Sequence, residues 1–224
     1  MTQMPGRPDV VPYIAAWSAE RFARPAVVAA PGVGIAYRGE IPHDRDVDGV
    51  LWARMTLQRG SGRPEFGRVH PARQRRAMRR LLCQVCGGPA DRTGEGVLWL
   101  LKDDRDDWPG WPEGMAVTHP PVCLGCARAA AQLCPHLATG FVAVRVADSG
   151  SCGVYGTLYQ PGALGPQSVG EIITASDDPR ARWVLAAQMV RVLRGCTFVE
   201  LGTKAEVGAG PSVGLDDFLC AVTG

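Results

Sequence analysis

Cys83-Gln84-Val85-Cys86 and Cys123-Leu124-Gly125-Cys126 are the two stretches around which the rest of the chain has to be arranged. A two-residue gap lets both sulfurs of a pair reach one metal from a tight turn, and zinc prefers thiolates. Two matched pairs predict one tetrahedral site, with Cys83, Cys86, Cys123 and Cys126 as ligands and zinc as a structural cofactor. Four thiolates would fill the coordination sphere and leave no position for water, so Lewis-acid catalysis has nowhere to act. The competing reading, four buried free thiols, does not account for the matched spacing.

Working outward, residues 71–82 read as a helix with proline in its first turn, ending at the first cysteine pair. GVLWLL (96–101) reads as a buried strand, KDDRDDWPGWPEG (102–114) as an acidic tryptophan-rich loop, and MAVTHPPV (115–122) as a returning strand. CLGCARAAAQLC (123–134) reads as a helix with Cys123 and Cys126 in its first turn and an alanine-rich body. A knuckle, a hairpin and two ligands at the start of a helix resemble the treble-clef zinc fold, over roughly residues 80–137. Gly87-Gly88 fits that resemblance, since backbone N–H groups turning toward the sulfurs need permissive dihedrals.

Treble clefs include HNH nucleases, which need a histidine at the end of the hairpin's first strand. Here no histidine follows Cys86 until His119, so a diverged HNH-like nuclease, with His119 or His136 in the chemistry, is held only as an alternative. His119, Cys134 and His136 are also candidates for a second metal site. The plainer reading is a buried thiol ending an apolar helix, with His136 complementing the helix dipole.

Arg68, Arg73, Arg75, Arg76, Arg79 and Arg80 fall within thirteen residues that contain no acid. On a helix Arg73, Arg76 and Arg80 share one face, and Arg75 and Arg79 the neighbouring one. Arginine forks suit phosphates, so Arg73, Arg75, Arg76, Arg79 and Arg80 are the candidate contacts to nucleic acid or to an acidic protein surface. The alternative is internal pairing with the acidic run Asp103, Asp104, Asp106 and Asp107. The arginine helix carries no interleaved aromatic residues for base stacking. Trp108 and Trp111 read as rim aromatics of a recognition loop or as a cover over the zinc hairpin.

The rest of the chain sets the class. A helix is expected over 9–23, short strands at PAVVAA and GIAYRGE, an extended segment around 50–57, and an exposed linker at 58–67. In the C-terminal third, 141–147 and 152–160 alternate as a hairpin across Ser149-Gly150-Ser151, and 170–175 as a third strand. Residues 176–195 carry helix signals: Ser176 as cap, Asp177 and Asp178 in the first turn, an apolar stripe of Trp183, Ala186, Ala187, Val190 and Leu193, and Gly195 after the last turn. The expected fold is α+β, short strands and helices around a central treble-clef-like zinc module held by the four cysteines. Its regions are 1–67, 68–138 and 139–224, the last two being the zinc module with its basic helix and a C-terminal α+β region; all three can form one domain.

Composition narrows the function. With 224 residues, 46% hydrophobic and 21% charged, the chain can bury a core, and its net charge of +2 gives no global field. No apolar stretch is long enough to span a membrane, and the N-terminus lacks a secretory core, so a cytoplasmic location with reduced thiols is expected. Asp44, Asp46, Asp48 and Gly49 match the opening of a calcium loop, but its twelfth position is Met55, so an acidic turn is expected. Ser149-Gly150-Ser151-Cys152-Gly153 reads as a turn, without a histidine base fixed by sequence. GAGPSVG (208–214) lacks the surroundings of a phosphate loop. The leading expectation is a non-catalytic binding protein. The alternatives are a zinc-scaffolded enzyme, with its active site in a cleft away from the cysteines, and the diverged nuclease.

Overall fold

The computed structural model describes residues 10–201; the 208–214 run lies outside them. Its strands are β1 (Ala15–Trp17), β2 (Val27–Ala30), β3 (Gly34–Tyr37), β4 (Leu51–Trp52), β5 (Pro64–Val69), β6 (Arg92–Thr93), β7 (Gly96–Lys102) and β8 (Ala116–Val117). They continue with β9 (Phe141–Asp148), β10 (Ser151–Gln160), β11 (Gln167–Ala175), β12 (Val184–Val192) and β13 (Arg194–Val199). Two helices, α1 (Pro71–Arg80) and α2 (Leu124–Leu133), complete a mixed α and β fold that is mostly sheet.

Two sheets face each other. One runs β11-β10-β12-β4, with β8 also on β12; the other runs β13-β9-β7-β6. Val97, Trp99 and Leu101 of β7 and Val142, Val144 and Val146 of β9 share a core with Val154, Val184, Ala186 and Met189 of the opposite sheet. The alternate residues Leu98, Leu100 and Ala143 point the other way, into a second core containing Cys83, Val122 and Ala127. GVLWLL is apolar at every position because both faces of β7 are buried. Strands from all three sequence regions share these sheets: β4 pairs with β12, and β7 with β9.

Helix α1 packs on β12 through Gln74, which is fully buried. Its amide accepts the Met189 N–H at 2.9 Å and donates to the Met189 carbonyl at 2.9 Å, as a neighbouring strand would. The same nitrogen donates to the Thr118 carbonyl. One side chain thus satisfies three backbone groups that the helix would otherwise leave buried and unpaired.

Several expectations are overturned. The described part of the expected helix over 9–23, residues 10–23, is not helical: Ala15–Trp17 pairs as β1 with β5, and a turn follows in which Glu20 accepts the Trp17 N–H. The expected linker at 58–67 is a turn up to Arg63, after which β5 begins. Strands β9 and β10 do not pair with each other; Ser149-Gly150 carries the chain from one sheet to the other. The returning strand is only β8, and it pairs with β12.

The expected helix over 176–195 is instead β12, preceded by a short 3-10 turn at Ala181–Trp183. Asp178 closes a turn by accepting the Arg180 N–H at 2.8 Å, so the residues that mimic a helix cap serve a loop. Strand β12 lies between β10 and β4, and burial at the sheet centre overrides the helical preference of its alanines. Trp111 is a core residue, 4% exposed and stacked on Phe198 at 6.3 Å, while Trp108 stays exposed. Glu113 binds the N–H groups of Gly195 and Cys196, both at 3.1 Å, which fastens the tryptophan loop to the start of β13.

Candidate metal centre and basic groove

The sulfurs of Cys83, Cys86, Cys123 and Cys126 all lie within 4.8 Å of one another. The knuckle is built by a narrow loop: the Cys83 N–H donates to the Gly88 carbonyl at 2.7 Å, and Gly87 N–H returns to the Cys83 carbonyl at 2.9 Å. After the knuckle come the β6–β7 hairpin, the tryptophan loop and α2, whose N-cap is Cys123. The Cys86 and Cys123 sulfurs are 3.9 Å apart, close to the ~3.8 Å that zinc–thiolate bonds of about 2.3 Å produce in a tetrahedron. None of the four is in a disulfide.

Burial works to raise the Cys83 thiol, but the N–H groups of Cys86, Cys123 and Val85 outweigh it and hold its pKa below the ordinary value. Burial raises Cys123 and Cys126. Four sulfur donors of suitable spacing, with the Cys83 thiol held below its ordinary pKa, can hold a metal ion. Cys83 faces the second core and Cys86 faces solvent, so the centre sits at the edge of the molecule.

His119, Cys134 and His136 form no comparable group. Among the described residues the four cysteines are the cluster of three or more ligating side chains. His136 is exposed on a 3-10 turn after α2, and Cys134 is half-buried. His119 lies beside Trp99, which donates its indole N–H to the His119 carbonyl at 3.2 Å. Its Nε2 is enclosed without a partner, and burial pushes the imidazole down to about 4. The first strand of the hairpin ends in Thr93, where the nuclease pattern needs histidine.

The arginines separate into two groups. Arg73 is 5% exposed and forms a two-pronged pair with Glu20 at 2.6 and 2.7 Å, also donating to the Ala15 carbonyl at 2.7 Å. It is therefore not a surface contact, although the helical wheel places it with Arg76 and Arg80. The N-terminal segment covers the first turn of α1 and leaves the last turn open. Arg68 is likewise turned inward, donating to the carbonyls of Trp17 and Glu20.

Arg75, Arg76, Arg79 and Arg80 do come together, with Ala72, around a groove of about 390 Å³. Arg75 lies over the Trp52 ring at 4.6 Å. Burial, together with the nearby Arg79, lowers its pKa, and Asp46 opposes them. Its Nη1 is buried without a hydrogen-bond partner. Two acids of the run that could have neutralised the groove are engaged elsewhere: Asp103 pairs with Arg105 and Asp104 with Lys102.

Sequence reasoning missed Tyr13 and Arg59. Tyr13 is tied to the knuckle through its N–H, which donates to the Val85 carbonyl at 2.8 Å. Arg76 donates to the Tyr13 hydroxyl at 3.1 Å, and Arg59 sits over the ring at 5.3 Å. No local pattern signals this meeting of three distant segments. Two aspartates of the calcium-like run are structural: Asp46 accepts from the N–H groups of Asp48 and Val50 and from the Trp52 indole, and Asp44 pairs with Arg54.

No family model, no curated protein and no solved structure matches the chain.

Proposed function

We propose that this chain is a zinc-stabilised binding protein whose arginine groove holds a polyanion, either a nucleic acid or an acidic protein surface. The observation that carries the reading is Arg75. It shares a groove with three further arginines, and Asp103 and Asp104 of the acidic run pair with Arg105 and Lys102 instead. Four like charges around one groove repel one another, and an incoming phosphate or carboxylate group would relieve that repulsion through charge-assisted hydrogen bonds.

Zinc would be held by the four cysteine thiolates in a closed, structural site, and the order of knuckle, hairpin and helix supports a treble-clef reading of this module. A reducing compartment such as the cytoplasm suits a thiolate centre. The enzyme reading has less support. A depression of about 440 Å³ between the β6–β7 and β9–β10 turns is lined by Arg92, Asp148 and Arg191, with neither histidine nor cysteine among the described side chains of its wall.

The test is equilibrium binding of a labelled oligonucleotide and of polyglutamate across a salt series. Affinity should fall with salt at a slope of about −0.7 to −0.9 per neutralised phosphate. Binding that ignores salt, or that survives Arg79→Glu with Arg80→Glu, would overturn the reading.

A further inference from the structure

The groove is continued by a second kind of surface. Beside it, the Tyr13 ring rests on the metal knuckle at Gly87, where even an added methyl would lie 2.9 Å from the ring. Arg59, from the exposed turn before β5, holds its guanidinium over that ring at 5.3 Å. Arg76 meets the same tyrosine by its hydroxyl at 3.1 Å. The result is an exposed cation lying over an aromatic ring. Arg59 forms no ion pair among those recorded for the described residues.

We propose that the polyanion is a single-stranded nucleic acid. Its phosphates lie along Arg75, Arg76, Arg79 and Arg80, and one base stacks on the Arg59–Tyr13 pair. This rests on the reading of the groove given above and narrows it by chemistry. An acidic peptide supplies anionic oxygens but no flat aromatic group to cover a guanidinium. A duplex supplies phosphates, but its bases are stacked on one another. A single strand offers both, and stacking of unpaired bases on aromatic rings and guanidinium planes is how such strands are held. The groove and the stacked pair share Arg76, so charge and stacking surface form one continuous track.

The experiment compares three probes by fluorescence anisotropy on the zinc-loaded full chain: a mixed-sequence single-stranded oligonucleotide, the duplex of equal length, and polyglutamate. The single strand should bind tightest. Arg59→Lys keeps the charge and removes the planar cation; it should weaken single-strand binding about fivefold and leave the salt slope unchanged. Equal or tighter binding of the duplex or of polyglutamate would overturn the proposal, as would an Arg59→Lys variant that binds normally. In either case the groove reading stands if Arg79→Glu with Arg80→Glu still abolishes binding. If none of the three probes binds, the groove reading fails as well.

Discussion

The carboxylate of Glu20 receives both prongs of the Arg73 guanidinium, at 2.6 and 2.7 Å, across 53 residues of sequence, and neither side chain is open to solvent. Burial works to raise the Glu20 carboxyl, but Arg73 and the N–H groups of Trp17 and Gln58 outweigh it and bring it to about 2. His70 lies 3.7 Å away, and burial keeps its imidazole below the ordinary pKa. This cluster fastens the N-terminal segment over the first turn of α1.

Removing either partner leaves the other charge buried and alone. Arg73→Met or Glu20→Leu should each cost about 3–5 kcal/mol in urea unfolding, and the double variant far less than the sum. Additive losses would show that the two side chains do not act as a pair.

Acid should find the same cluster. Because the folded carboxyl titrates at about 2 and the free one near 4.5, the contribution of Glu20 is complete above pH 4.5. It is lost as the pH falls from there through 2. In the Glu20→Leu/Arg73→Met double variant, the melting temperature should depend less on pH over that interval.

Gln74 offers a cleaner measure of how α1 is held. Gln74→Leu strands the N–H and carbonyl of Met189 and the Thr118 carbonyl in a dry interior. A loss of about 2–4 kcal/mol is expected, since each orphaned group costs on the order of 1–3 kcal/mol and partial relaxation recovers some of it. A calorimetric change below 1 kcal/mol, roughly the worth of one ordinary hydrogen bond, would show that water or another donor replaces the amide.

Metal content should be one zinc per chain. Chelation, or Cys83→Ser, should unfold the module around the knuckle, because metal binding there is folding free energy. Protein that keeps its melting profile after chelation and carries less than one equivalent of metal would remove zinc from the account.

Arg79 and Arg80 are exposed and face the groove, so Arg79→Glu with Arg80→Glu should change stability by no more than about 0.5 kcal/mol. The same change should remove salt-dependent binding. Measured together, the melt and the titration separate a binding defect from a folding defect.

The cysteine spacing and the arginine run were readable because each is a local arrangement in which neighbours in sequence act together. Helix α1 with its N-terminal proline, strand β7 and the β2–β3 hairpin were readable for the same reason. What misled was the C-terminal third. The residues 184–193 satisfy a helical stripe and a two-sided buried strand equally well, and the choice lies in partners β10, β4 and β8, which no local window contains. Arg73 failed similarly: its spacing is that of an exposed face, but Glu20 covers it from far away. Tyr13 and Arg59 carry no signal at all until the knuckle brings them together.

The contact between Tyr13 and Gly87 has an evolutionary consequence. An added side chain at position 87 would crowd that ring at 2.9 Å, and the positive φ of 78° there disfavours any residue but glycine, so position 87 should stay glycine as the chain diverges. Trading Tyr13 for something smaller would lift the first constraint and leave the second. The cation resting on that ring would lose its seat in the same step.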